Sequence, residues 1–283
     1  MEILSFCTDC TIFASMKSQI QPLIVPEGYR SSTIMAAGDY AMNLRVSMDL
    51  IPYRAGQPYL APKMRATYVL QGTAQFLVNL VQVELRTGAL MIVPPGCVIE
   101  LLETSPDMEV RLMAFGDEAL DHPVLVSPQG EEKEDMEALM TAIWRGLRDK
   151  ATDYVQTLSK AFISKALMIE GAAPKKKSLR SEELFTQFIE AVNAWCMQNR
   201  RIPFYADKLG ISAHHLSAIV KAVSGESAMS WIHRATIQRA KLLLSQGQTA
   251  LQVSEALEFP DAPYFNRYFK RHTGMPPGAY QKQ

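Results

Sequence analysis

The chain has 283 residues, 48% of them hydrophobic and 20% charged, a balance that excludes wholesale disorder and a disulfide-dense scaffold and fits two domains of roughly 100 to 200 residues each. Lysine plus arginine number 29 and aspartate plus glutamate 29, for a formal net charge of zero. That zero conceals a split: residues 1–173 carry 14 basic and 21 acidic side chains (−7) and residues 174–283 carry 15 and 8 (+7), so the second half is expected to meet a polyanion such as a phosphate backbone.

The apolar run from Gly88 to Ile99 is broken by Pro94-Pro95-Gly96 and is too short to span a bilayer. Met1-Glu2-Ile3-Leu4 lacks the basic start of a secretory signal. No membrane partner and a cytoplasmic location are therefore expected. Cys7, Cys10, Cys97 and Cys196 are too few to staple a secreted fold of this size and read as thiols. Cys7-Thr8-Asp9-Cys10 has the gap of a zinc half-site or redox pair, but no second pair or matched histidines complete a tetrahedral site.

Along the first half, Tyr40, Met42, Leu44, Val46, Met48 and Leu50 alternate with Ala41, Asn43, Arg45, Ser47 and Asp49, the period of a strand buried on one face. Apolar parity switches from even at Phe76 and Val78 to odd at Val81, Val83 and Leu85, which predicts a turn or bulge at Asn79-Leu80. Short strands at 89–93, 98–102 and 109–115, separated by Pro, Gly and Asp, point to a sandwich or small barrel. Gly88, Pro94, Gly96 and Ile99 are spaced as in the second motif of the cupin barrels, which this stretch resembles. Where the cupin motif places a metal-ligating histidine, Ile99 stands instead, and no histidine precedes His122. A catalytic metal needs about three ligands, so no metal, no cofactor and no catalytic residue are expected. Arg45, Tyr53, Arg65 and Tyr68 are the polar candidates for a small-molecule effector pocket.

Helical periodicity then takes over. Met136, Leu139, Met140, Ile143, Trp144 and Leu147 form one apolar stripe, and a second helix from about Asp153 to Glu170 turns Tyr154, Leu158, Phe162 and Ile169 inward. The stripe either packs on the barrel or meets a second subunit. A homodimer seam is the favoured expectation. Gly171 to Ser178, with Pro174 and Lys175-Lys176-Lys177, reads as a linker.

From Ser181 the pattern is helical, with Leu184, Phe185, Phe188, Ile189, Val192 and Trp195 on one face. Ala206, Gly210, Ile211, Leu216 and Ile219 have helix-turn-helix spacing, and Ser212 is a suitable N-cap. Leu216-Ser217-Ala218-Ile219-Val220-Lys221-x3-Gly225 recurs as Phe265-Asn266-Arg267-Tyr268-Phe269-Lys270-x3-Gly274, so the unit is duplicated. Between the copies, a helix from Ser227 to about Ser245 would be a rigid rod of roughly 28 Å, close to the roughly 34 Å between successive major-groove faces. Arg239 and Lys241 on that rod are expected to be solvated. Tyr264, Phe265, Tyr268 and Phe269 read as core rather than as a stacking platform for single strands.

Ala240-Lys241-x-Leu243-Leu244, Val253 to Asp261, Tyr264 to Lys270, and Thr273-Gly274-Met275-Pro276-Pro277-x2-Tyr280 resemble the C-terminal DNA-binding domain of the AraC/XylS family of transcription regulators. The resemblance covers about 100 residues and implies a cupin-like sensing or dimerising barrel upstream. Ser254, Glu258 and Thr236 depart from the family's alanine, glycine and arginine, and Glu258 would strain a left-handed turn. Carried over by position, the DNA contacts are His214, Ser217, Ala218 and Lys221 in the first helix, and Pro263, Asn266, Arg267 and Lys270 in the second. Of these, Arg267 and Asn266 suit guanine and adenine edges, and Lys221 and Lys270 suit phosphates.

The fold class expected is multidomain α+β: a cupin-like β-barrel at 1–132, a helix pair at 133–170, a linker at 171–180 and an all-α double helix-turn-helix domain at 181–283. The function expected is sequence-specific binding of double-stranded DNA, with RNA polymerase and a small-molecule effector as further partners. The alternatives are a metal-dependent cupin enzyme fused to a DNA-binding domain and an effector-independent DNA-binding protein.

Overall fold

The computed structural model describes residues 34–47, 55–116, 120–172 and 179–282. Cys7, Cys10, Met48, Leu50, Tyr53 and the 174–178 stretch of the expected linker lie outside these. Among the described residues ten strands come first: β1 (Ile34–Ala37), β2 (Tyr40–Ser47), β3 (Pro58–Leu60), β4 (Arg65–Gln71), β5 (Thr73–Val78), β6 (Val81–Arg86), β7 (Leu90–Val93), β8 (Val98–Thr104), β9 (Glu109–Ala114) and β10 (Val124–Val126). One sheet has the order β1-β2-β9-β4-β7-β10 and the other β3-β8-β5-β6. The described helices are α1 (Gly130–Arg148), α2 (Thr152–Ala172), α3 (Arg180–Trp195), α4 (Ile202–Lys208), α5 (Ala213–Ser224), α6 (Ala228–Ser245), α7 (Ala250–Ala256), α8 (Ala262–Thr273) and α9 (Pro277–Tyr280).

The six-stranded sheet is buried on both faces, and neighbouring side chains divide between them as the pleat requires. Val69, Met91, Val93 and Val110 fill the space between the sheets. Ala66, Tyr68, Leu90, Ile92 and Met113 point the other way, into a cluster shared with α1 and α2. This explains why β7 is apolar and buried at every position. In β2 the register shifts between Asn43 and Val46. The bulge turns the strand over, so that Tyr40 and Met42 face the helices while Val46 faces the barrel interior, rather than all sharing one face as plain alternation predicted.

The stripe Met136, Met140, Ile143 and Leu147 packs on this sheet. The expectation that it forms a subunit seam is corrected, because the outer faces of Met42, Tyr68, Ile92 and Met113 need that cover. Tyr154, expected inward, is 53% exposed; Val155 is buried in its place. A Cβ on Gly146 would meet Val155 Cγ2 at 2.8 Å, so glycine there allows α1 and α2 to approach closely.

The turn expected at Asn79-Leu80 is a two-residue hairpin, with Val78 opposite Val81 and φ of 45° and 71°, the geometry of a type I′ turn. Leu80 is wholly buried, not among the barrel residues but in a cluster with Phe188, Val192, Tyr205, Leu216 and Ile232 of the helical half. The hairpin tip thus completes a core built by α3 to α6.

Candidate nucleic-acid interface

The duplication visible in the sequence is reproduced hydrogen bond by hydrogen bond. Helices α5 and α8 are each 12 residues long, and each is capped at its N-terminus by a side chain, Ser212 Oγ accepting from His215 N and Asp261 Oδ1 accepting from Tyr264 N. Both end on a left-handed glycine: Gly225 (φ 74°) donates to the Lys221 carbonyl, and Gly274 (φ 80°) to that of Lys270. The hydroxyl of Ser224 donates to Val220 O at 2.7 Å, and that of Thr273 to Phe269 O at 2.9 Å. Each then accepts from a backbone N–H two residues on, from Glu226 and Met275.

The preceding turns also match. Ile211 N donates to Ala206 O at 3.0 Å around Gly210, and Phe259 N donates to Ser254 O at 2.8 Å around Glu258. Gly210 has φ 67° and Glu258 φ 50°, so the departure from glycine sits in the strained conformation expected, at a cost on the order of 1 kcal/mol. Phe259-Pro260-Asp261 supplies one more residue before the cap than Ile211-Ser212, which shifts the repeat from 48 residues at the turns to 49 at the helices.

The rod between the units is one continuous helix of 18 residues, about 27 Å long at 1.5 Å per residue. Arg234 anchors its start, with Nη2 at 2.7 and 2.9 Å from the Glu226 carboxylate oxygens and the guanidinium carbon 4.5 Å from the Trp231 ring centroid. Its far side lies against the smaller sheet. Lys241 Nζ is 3.0 Å from Glu100 Oε1 and donates to Gly56 O at 3.2 Å, while Gln238 Nε2 reaches Glu100 Oε2 at 3.4 Å. Glu100 is 6% exposed. The expectation of a solvated Lys241 is corrected: the barrel covers it, and its charge balances a buried carboxylate. Arg239 is also partly buried, and its charge opposes the rise in the Cys97 and Cys196 thiol pKa values that burial causes.

The proposed contact residues lie on the outer faces of α5 and α8. His214, Ala218, Lys221, Pro263, Asn266, Arg267 and Lys270 are exposed, and Ser217 is half-buried with its hydroxyl donating to Ala213 O at 2.8 Å. Lys221 Nζ donates to Gly225 O at 2.6 Å, which fixes its stem at the helix end. Arg267 lies 5.9 Å from the Tyr264 ring centroid. Phe265, Tyr268 and Phe269 are buried, as core residues would be, whereas Tyr264 is 47% exposed. Trp195, expected on the buried face of its helix, is 41% exposed and is covered by Lys208 Nζ at 4.7 Å.

Behind α8, His233 Nδ1 is 2.7 Å from Tyr268 Oη, and its ring lies 4.6 Å from that of His272. Burial, then the positive charges of His272 and Arg271, push the His233 pKa down to about 4. Burial pushes Tyr268 up to about 12. The imidazole is therefore neutral at pH 7 and serves as a polar strut between rod and recognition helix.

The effector candidates separate in space. Arg65 lines a largely apolar cavity between the sheets with Thr67, Phe76, Met91, Ile99 and Leu112, and its Nε is buried without a hydrogen-bond partner. Tyr68 points to the opposite face, donating to Glu137 Oε1 at 3.2 Å, with its pKa pushed up to about 12 by burial and that carboxylate. Arg45 is on the surface, paired with Glu109 at 2.7 Å. Both are corrected as pocket residues: Tyr68 follows the even parity of β4 to the helix side, and Arg45 sits at the β2 bulge. Tyr53 lies outside the described residues. Leu80 and Glu100 were missed. Glu100, the one charge within Val98-Ile99-Glu100-Leu101-Leu102, was the available signal. Among the described residues, no group of three His, Cys, Asp or Glu side chains is placed to hold a metal, and no helix is long and apolar enough to cross a membrane.

Residues 205–283 match the family model of a helix-turn-helix domain. The chain is 35% identical over 68 residues to the uncharacterized HTH-type transcriptional regulator YobQ of Bacillus subtilis, a match covering 24% of this chain and only 28% of that relative. It is 22% identical over 236 residues to the uncharacterized HTH-type transcriptional regulator YpdC of Escherichia coli, covering 76% of this chain and 81% of the relative. Among solved structures, ToxT from Vibrio cholerae aligns over 86% of this chain and 97% of its own at 14% identity and a TM-score of 0.39. An AraC-type regulator from Chromobacterium violaceum aligns over 36% and 93% at 21% identity and a TM-score of 0.34. With two helix-turn-helix units on one rod and the domain match over residues 205–283, the chain carries a C-terminal helix-turn-helix domain.

Proposed function

We propose that α5 and α8 enter successive major grooves on one side of a DNA duplex, with the second unit reading more of the bases. The observation that carries this is the exact repetition of cap, helix length and left-handed glycine in two exposed helices joined by an unbroken rod. Arg267 has the bidentate donors for a guanine edge and Asn266 the amide for adenine, while Lys221 and Lys270 hold phosphates. His214, Ser217, Ala218 and Pro263 line the same face and set the fit. Selection from randomised duplex DNA followed by footprinting tests the reading: protection should fall on two neighbouring turns per protomer. Protection of one turn only, or no enriched sequence, would overturn it.

The division into barrel (1–132), helix pair (133–170), linker (171–180) and reader (181–283) is part of this reading, as is action by binding rather than catalysis, in the cytoplasm. A cupin enzyme is the competing view; stoichiometric Fe, Mn or Zn in the purified protein would favour it. The barrel is a sensor whose effector has an apolar body and an anionic or acceptor end for Arg65 Nε. Phe76, Ile99 and Leu101 line the cavity, while Leu77 and Glu100, the cross-strand pair between them, face the reader. A single sheet therefore separates effector from rod. The exposed face of α2, with Tyr154 and Met168 53% and 66% exposed, is the surface for a second copy, and RNA polymerase is the partner for transcriptional output. Ligand-dependent change in DNA binding that Arg65→Met abolishes supports the sensor; an effector-independent protein would show none.

A further inference from the structure

Arg200 belongs to the first helix-turn-helix unit by sequence, in the short segment between α3 and α4, yet its side chain ends in the second. One guanidinium nitrogen donates to Leu257 O at 2.5 Å and the other to Glu258 O at 2.7 Å. These are the last carbonyls of the second turn, where Glu258 holds φ 50° in place of a glycine. The guanidinium carbon lies 4.2 Å from the Phe259 ring centroid. That ring in turn touches the second recognition helix, at 5.4 Å from Phe265 and 4.9 Å from Tyr268. Met197, from the same segment, packs against both helical cores.

Two charge-assisted bonds and a cation–ring contact from one planar group fix position and angle together, which a lysine's point charge does not. The route from the first unit to α8 is therefore Arg200, Phe259, then Phe265 and Tyr268, in parallel with the rod. We propose that Arg200 is a positioning residue that sets the second recognition helix relative to the first, and so determines which spacing between half-sites the protein accepts. This inference rests on the reading in which both helices contact DNA at once.

The test uses the full chain and the duplex enriched by selection from randomised DNA, together with versions carrying one base pair more or fewer between the half-sites. Wild-type protein should lose at least about tenfold in affinity on either change of spacing, since a tenfold loss is a modest part of specific binding. Arg200→Met should bind the original duplex about tenfold more weakly while its spacing preference shrinks to within about threefold, with the base preferences inside each half-site kept. Adding Glu258→Gly should recover thermal stability but not the spacing preference. Arg200→Lys, which keeps charge and length, should behave like Arg200→Met and provides the comparison should that variant fail to fold. Wild-type spacing preference in the Arg200 variants, or its recovery with Glu258→Gly, would show that Arg200 only supports the turn and would overturn the proposal. Failure of wild-type protein to enrich any duplex would instead remove the two-helix reading on which it stands.

Discussion

The side-chain amide of Asn193 on α3 donates to the main-chain carbonyl of Asn79 at 2.7 Å, joining residues 114 positions apart, and also to Ile189 O at 2.9 Å. It pins the tip of the β5–β6 hairpin against the first helix-turn-helix unit. Leu80, next in the chain, occupies the left-handed region and is fully buried in that unit's core. A β-branched or bulky side chain rarely holds this conformation unless packing demands it.

Leu80→Ala should cost about 2 to 5 kcal/mol and be felt outside the barrel. Amide hydrogen exchange should speed up in α3 and α5, whereas Val81→Ala, at a position 53% exposed, should leave it unchanged. Faster exchange confined to the strands would show that the contact carries no energetic coupling.

Glu100 and Lys241 form a largely buried pair, with side chains 8% and 21% exposed. Lys241→Met strands the carboxylate and should destabilise by about 3 to 5 kcal/mol, whereas Lys241→Met with Glu100→Leu should return to within about 1 kcal/mol of wild type. Urea unfolding of the three proteins checks this. Additive losses would mean two independently solvated charges.

The His233 pKa is depressed to about 4 from 6.5, and that of His272 is lowered by burial and Arg271. The unfolded chain therefore binds more protons between those values, and stability falls as pH drops from about 6.5 toward about 4. His233→Gln should flatten this part of the melting-temperature profile relative to wild type. His122, raised by Glu170 and Asp121, acts in the opposite sense and cancels in that difference. An unchanged slope would place the acid sensitivity elsewhere.

Arg267→Ala should cost about 1 to 3 kcal/mol on the selected duplex and relax preference at one base pair. Lys270→Ala should weaken all sequences alike and lower the dependence of affinity on salt by about one ion. A uniform loss for Arg267→Ala would reassign it to a phosphate.

Local chemistry determined much of the helical half before any coordinates. The repeated spacing from Leu216 to Gly225 and from Phe265 to Gly274 and the cap at Ser212 are relations within a few residues, set by helix period and glycine's backbone freedom, whereas the strain at Glu258 is what the family resemblance implies, since the family places glycine there. The Asn79-Leu80 turn was legible for the same reason. The contact positions on α5 and α8 follow from the family resemblance, carried over by position, and a buried stripe on each helix leaves one free side to hold them.

What the tertiary structure alone decided are the contacts across long separations. Periodicity says that the stripe from Met136 to Leu147 is buried, but not against what, since a hydrophobic face is satisfied equally by a sheet, a rod or another subunit, and it says nothing of Leu80, which sits in the turn where the parity breaks. Nor does a charge reveal its partner: Glu100, Lys241 and Arg200 have the composition of surface residues, and only the docking of barrel on rod and of one unit on the other gives them buried or shared neighbours. Burial is non-directional and roughly proportional to area, so the sequence by itself determined which faces must be covered, and the assembled fold determined which pairs meet.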